Sequence, residues 1–429
     1  MEVEIGRGKK ARRAYGFDDI AIVPSRRTRD PDDVDISWKL GDYRFELPLM
    51  ASAMDGVVSP QTAGIVGKLG GLAVLNLEGI WTRYEDADDQ LQRIAQLPRE
   101  QATREMQDIY REPIKPELIE RRIREIKEQG VVVSASLTPQ RVRLYYELAL
   151  EAGLDVLVIQ GTVVSAEHVS TVSEPLNLKE FIRAVEVPVV VGGCASYHTG
   201  LHLMRTGAAA VLVGVGPGAA CTTRGVLGIG VPQATAIADV AAARSQHMLE
   251  TGEYVHVVAD GGMRNGGDVA KAIACGADAV MIGSPLARAY EAPGHGFHWG
   301  MATFHPTLPR GARVATVQNG TLEEILVGPA RENDGTFNLF GGLRTSMATC
   351  GYQDLAEFNR AELMVAPALQ TEGKHLQSAQ GIGMGSRGAA APAPREEDRP
   401  APPPAANGGA AEGPAPVLSG TPAMVSGPN

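Results

Sequence analysis

Eight apolar runs recur along the chain, at residues 47–54, 72–77, 131–137, 156–161, 187–193, 210–216, 256–262 and 279–284, most of them ending in Gly, Ser, Asp or Asn. They lack the polar alternation of a strand with one wet face, so each reads as a strand buried on both sides. Between them lie segments of helical character, among them 59–69, 116–129, 142–152, 179–185, 199–206, 235–250 and 268–275. Strand then helix, eight times over, is what a closed parallel (β/α)8 barrel, the TIM barrel, requires. An open doubly wound α/β sheet is the alternative, and it more often has fewer strands.

A parallel barrel places its chemistry on the loops that follow the strands. Those ends carry Ser52-Ala53-Met54-Asp55, Asn76, Gln160-Gly161, Gly192-Gly193-Cys194, Asp260-Gly261-Gly262 and Gly283-Ser284. After the sixth run comes Gly214-Val215-Gly216-Pro217-Gly218-Ala219-Ala220-Cys221-Thr222-Thr223-Arg224. Its glycines tolerate a sharp turn and close approach to a ligand. Its lone thiol, with two hydroxyls and a guanidinium behind it, supplies the parts of a nucleophilic step. A buried, inert cysteine is the competing reading of Cys221. The glycines at 261, 262 and 283 with Ser284 fit a barrel phosphate site, and Asp260 suits the two hydroxyls of a ribose. His295, His298 and His305, and the i, i+4 pair His198 and His202, lack the Cys or carboxylate partners of a recognisable metal set.

Composition narrows the function. The formal net charge is −10, against the basic balance of a general nucleic-acid binder. No run approaches a membrane span, and the first residues carry charge with no apolar stretch behind it. Four cysteines without paired spacing make neither a disulfide framework nor a zinc ribbon, so a reducing, cytoplasmic setting is expected. The expected organisation is a basic, mobile start over 1–14 and a barrel domain over 15–377. That domain carries a long irregular loop at 290–343, which reads as a lid or binding loop. From Ser378 to 429 the chain turns to Ala, Pro and Gly, which predicts disorder.

These pieces resemble the IMP dehydrogenase/GMP reductase family of purine-nucleotide oxidoreductases over about Tyr15 to Leu355. The motifs are Phe17-Asp18-Asp19, Ser52-Ala53-Met54-Asp55, the Gly214–Arg224 loop, GIGVPQATA at 228–236, ADGGMRNGGD at 259–268, 280–284 and GGLRTS at 341–346. The resemblance implies that Cys221 is the nucleophile that attacks C2 of the purine and that Thr223 assists at that carbon. It implies Asp260 as the ribose ligand, with Gly261, Gly262, Gly283 and Ser284 at the phosphate. Ser52, Met54, Gly300 and Met301 would lie against the substrate. Gln160, Gly161, Gly214 and Gly216 would face the nicotinamide cofactor, NADPH or NAD. The backbone oxygens of Gly216, Gly218 and Cys221 match a site for K+. A homotetramer is expected by the same resemblance.

Family dehydrogenases carry paired CBS modules between strands two and three, whereas here only about fifty residues, charged and helical in character, separate Leu77 from Val131. The Arg-Tyr pair that activates water in the dehydrogenase flap is not evident either. Both features tilt the expectation toward NADPH-dependent reduction of GMP to IMP and ammonia. NAD-dependent oxidation of IMP to XMP is the alternative, and a non-catalytic purine-nucleotide sensor is a second. Other departures are Ala219 for a phosphate-binding serine, Cys194 for an asparagine, Gln160 for the aspartate at the nicotinamide ribose, Leu212 for an arginine near it, and Arg310 for a base-reading Glu or Gln.

Overall fold

A computed structural model describes residues 2–169, 171, 175–300, 307, 311–366 and 373–384. Each of the eight apolar runs contains a strand: β1 Leu49–Ala51, β2 Leu72–Asn76, β3 Ser134–Leu137, β4 Val156–Gln160, β5 Val189–Cys194, β6 Ala210–Val213, β7 His256–Asp260 and β8 Ala279–Ile282. All neighbours pair in parallel, and Ile282 beside Ala51 closes β8 onto β1, so the sheet is a complete barrel without an edge. The physical cause is the one read from sequence. Val, Ile, Leu and Ala fill the inside of the barrel and the layer under the helices, and Val158, Val190, Val211, Val258 and Met281 are fully buried. Strands β6, β7 and β8 stop short of the ends of their apolar runs, which leaves Gly214, Gly261 and Gly283 in the loops.

The helices begin where the sequence offers caps. Ser59 accepts from the Thr62 N–H at 3.1 Å, with Pro60 opening α1, Pro60–Lys68. The stretch between β2 and β3 folds into α2 (Ala87–Gln96), α3 (Arg99–Ile109) and α4 (Pro116–Lys127). The remaining layer comprises α5 (Val142–Glu151), α6 (Leu178–Ala184), α7 (Tyr197–Met204), a short α8 (Thr223–Leu227), α9 (Gln233–Thr251) and α10 (Gly266–Ala274).

Three expectations change in detail. Residues 2–12, within the start expected to be basic and mobile, form two strands: Glu2–Gly6 and Lys9–Arg12 pair antiparallel, and Arg12 bonds Asp239 at 2.9 Å. The stretch 290–343 is not one irregular loop. Phe297–His298 pairs with Val314–Ala315, one helix forms over Leu322–Leu326 behind the Thr321 cap, and another over Leu339–Thr349. A short helix, His375–Gln380, crosses the expected boundary at Ser378, and the rest of that tail from 385 lies outside the described residues. No helix among the described residues is long and apolar enough to cross a membrane.

Candidate active site

The Cys221 loop leaves β6 at Val213 and immediately passes the end of β7. A Cβ at Gly214 would sit 2.1 Å from the Asp260 carbonyl oxygen, so only glycine lets the loop through. The loop then folds on itself, the Cys221 N–H donating to the Gly218 carbonyl at 3.0 Å. Its far side is held by the segment after β8: Cys221 bridges Gly311, and the Ala312 N–H donates to Ala220 at 3.0 Å. In this frame the Cys221 thiol donates to Thr223 Oγ1 at 3.1 Å. Cys221 is half-buried, whereas Cys194, Cys275 and Cys350 are buried. Burial pushes the Cys194 and Cys275 thiols up to about 12, which leaves them inert. The competing reading of Cys221 as a packed core thiol therefore fails on exposure. Arg224 donates to the Val231 carbonyl at 2.8 Å.

Asp260 closes β7. Burial pushes its carboxyl up to about 7, and the Gln160 amide, donating to Oδ2 at 3.2 Å from the end of β4, pulls the other way. Gln233 ties the neighbouring ends together, its Nε2 donating to the Val213 carbonyl at 2.6 Å and the Asp260 carbonyl at 3.1 Å. Across the barrel seam, a Cβ on Gly283 would lie 2.5 Å from Met54 Sδ and 3.4 Å from Ser52 Cβ, so the β1 and β8 loops pack directly. Ser284 Oγ shares a proton with His298 Nε2 at 2.8 Å, and Thr316 holds Nδ1 at 2.9 Å. Burial lowers His298 to about 4 and keeps the ring neutral near pH 7.

These groups share one cavity of about 1210 Å³ at the strand ends. The expected site residues that are described all line it, from Ser52 and Met54 through Gln160, Gly161, Gly214, Gly216, Gly218, Cys221 and Thr223 to Asp260, Gly261, Gly262, Gly283, Ser284 and Gly300. Met301, Arg310 and His305 lie outside the described residues. Two departures change meaning. Cys194 and Leu212 are fully buried within β5 and β6 and do not line the cavity, so they act as core rather than as ligand positions. Among the described residues no group of three or more His, Cys, Asp or Glu could hold a metal ion.

The sequence reading missed a second buried network. Asp55, at the end of the β1 loop, accepts from the Tyr110 hydroxyl and from the Ile80 N–H at 3.1 Å. Trp299 Nε1 donates to Tyr110 Oη at 2.7 Å. Burial pushes the Asp55 carboxyl up to about 6 against those bonds. The network joins the β1 loop, the helical insertion and the segment beside Cys221. Asp55 was visible as a strand-end acid, but no spacing links it to Tyr110 or Trp299.

Barrel and site together define an enzyme of the strand-end type, with one accessible thiol beside a hydroxyl and a half-buried carboxylate across a large cavity. The chain belongs to the IMP dehydrogenase/GMP reductase family, whose domain matches residues 14–375. An uncharacterized oxidoreductase of Mycolicibacterium smegmatis is 49% identical over 372 residues, covering 85% of this chain and 99% of that protein. The crystal structure of an IMP dehydrogenase/GMP reductase-like protein from Corynebacterium glutamicum has a TM-score of 0.81 at 47% identity, covering 85% of this chain and 97% of that one. An inosine-5′-monophosphate dehydrogenase of Methanocaldococcus jannaschii is 25% identical over 489 residues, covering 85% of this chain and 95% of that protein.

Proposed function

We propose that this oxidoreductase acts at C2 of a purine nucleoside monophosphate through a covalent bond to Cys221. The observation that carries this reading is the half-buried Cys221 thiol, 3.1 Å from Thr223 Oγ1, in the cavity that also holds Asp260. Asp260 receives the ribose diol, since its half-buried carboxylate, raised to about 7, gains from two hydroxyl donors. Gly262, Gly283 and Ser284 receive the phosphate, with the neutral His298 fixing the Ser284 hydroxyl. Cys221 Sγ adds to C2 as the C2–N3 π bond opens, and the thiol proton, held toward Thr223 Oγ1, passes to N3.

The nicotinamide group, when bound, supplies hydride exchange with C2. Gln160 fits it: Oε1 is buried without a partner among the described residues and Nε2 is spent on Asp260, so an acceptor remains for a hydroxyl or amide. The carbonyls of Gly216, Gly218 and Cys221 would hold a K+ ion, and Gly218, which also accepts from the Cys221 N–H, keeps a second lone pair for it.

For direction, oxidation of IMP with NAD and water to XMP is favoured by the more distant named relatives, which are inosine-5′-monophosphate dehydrogenases. Reduction of GMP with NADPH to IMP and ammonia is the second reading, favoured by the three-helix insertion standing where the dehydrogenases carry CBS modules. A cytoplasmic homotetramer is part of the same proposal. The test is nicotinamide absorbance with purified protein, offered IMP plus NAD with potassium and, separately, GMP plus NADPH. Turnover in either assay that survives Cys221→Ala would sink the covalent mechanism. Silence in both, with nucleotide still bound, would leave a sensor.

A further inference from the structure

We propose that Arg83, Arg141 and Arg111 form a binding site for a phosphate group of the nicotinamide dinucleotide, on the cavity wall opposite the substrate's anion end. The proposal rests on the reading above and locates the second ligand within it. The cavity, at about 1210 Å³, exceeds the roughly 300–1,000 Å³ of a site for one small molecule. The mononucleotide groups come from the ends of β6, β7, β8 and β1, adjacent members of the ring. In a ring of eight strands in sequence order, β2 and β3 lie across from β6 and β7. That far wall carries the three arginines: Arg83 after β2, Arg111 after α3, and Arg141 after β3.

Arg83 is buried, and backbone carbonyls hold it in place. Nε and Nη2 donate to Glu78 at 3.1 and 3.0 Å, and Nη1 donates to Glu112. Those three bonds leave two of its five N–H groups for another acceptor. Among the described residues no carboxylate lies within ion-pair distance of it. Burial and then the like charge of Arg141 weaken its hold on its proton, while Asp55, Tyr110 and Glu78 act in the opposite sense, so the two guanidinium groups sense each other. Glu78 sits with them, taking Arg141 Nε at 3.2 Å and the Thr138 N–H at 2.6 Å. Arg111 is exposed and pairs with Asp108 at 2.7 Å.

Among the described residues, the acids that line the cavity are Asp18, taken by Arg264 at 2.6 Å, and Asp260 on the opposite side. A fixed, partly desolvated guanidinium beside a second one is unfavourable alone and suits a phosphate, whose oxygens match the planar fork. The substrate phosphate has its own site at β7 and β8, so the phosphate met here belongs to the dinucleotide, either its pyrophosphate or a 2′-phosphate.

The test uses the full chain with Arg141→Gln at a half-buried position, Arg111→Gln at an exposed one, and Arg83→Lys as the charge-retaining variant. The readouts are KM for NAD and for NADP, KM for the mononucleotide, and direct titration with inorganic pyrophosphate. Loss of one charge-assisted contact is expected to raise the dinucleotide KM about tenfold or more in Arg141→Gln, with the mononucleotide KM unchanged. An increase with both dinucleotides assigns the pyrophosphate, and one confined to NADP assigns the 2′-phosphate; either supports the site. Unchanged dinucleotide KM and pyrophosphate affinity in both glutamine variants would overturn it. If the wild-type protein turns over neither substrate pair, the pyrophosphate titration still reads the site, so failure of the chemistry and failure of the site are separate results.

Discussion

Asp260→Asn tests whether the site holds a carboxylate against the preference of its surroundings. The Asp260 carboxyl stands at about 7 in the folded protein against an ordinary 3.8. A group raised on folding adds stability that is fully present below about pH 4 and is lost as pH rises through about 7. Each tenfold change in proton affinity is about 1.4 kcal/mol, so ionised Asp260 costs the folded protein roughly 4 kcal/mol above pH 8. About 3 kcal/mol of that is lost between pH 5 and pH 8. Asparagine has the same shape, keeps an oxygen for the Gln160 amide and cannot ionise. Urea unfolding of both proteins at pH 5 and pH 8 should therefore show a smaller loss in the variant, which becomes the more stable protein at pH 8. Asp55, raised to about 6, contributes with the same sign to both proteins and cancels in the comparison. Nucleotide binding should move the opposite way, weakening roughly tenfold to a hundredfold as a charged acceptor for the ribose is lost. Equal pH slopes in the two proteins, or a variant less stable at pH 8, would refute the assignment of the raised carboxyl to Asp260.

Two further outcomes follow from the same geometry. Iodoacetamide on the native protein at pH 8 should modify Cys221 and spare Cys194 and Cys275, whose thiols are buried and stand at about 12; peptide mass spectrometry reads the sites, and equal labelling of all would contradict the burial argument. Tyr110→Phe removes the hydroxyl that links Asp55 to Trp299 and should cost about 1–3 kcal/mol of stability. If Tyr110 also positions the segment beside Cys221, kcat falls while mononucleotide KM holds, and an unchanged kcat would restrict it to packing.

The barrel was legible because its information is local. A strand covered on both faces must be apolar throughout, and a helix laid over it must start at a cap and present one apolar stripe, so β1 to β8 and most of the helices announce themselves one segment at a time. The strand-end rule then places Ser52, Gln160, Cys221, Asp260 and Ser284 around one mouth. The 290–343 stretch was less legible, because the hairpin of Phe297–His298 with Val314–Ala315 is too short to leave a period.

By itself, then, the sequence determined the barrel, the glycine-rich turn that carries the thiol, and which loops would share a cavity. Only the tertiary structure decided which side chains meet there. Gln160 reaches Asp260 from a strand 100 residues earlier, and Tyr110 reaches Asp55 from an insertion 55 residues later. Ser284 finds His298 across a turn of the β8 segment, while Leu212 and Cys194 turn inward to the core instead of toward ligand. Periodicity records which face of one segment is covered. What covers it, and how far burial shifts a carboxyl or a thiol there, depends on the closure of the whole ring.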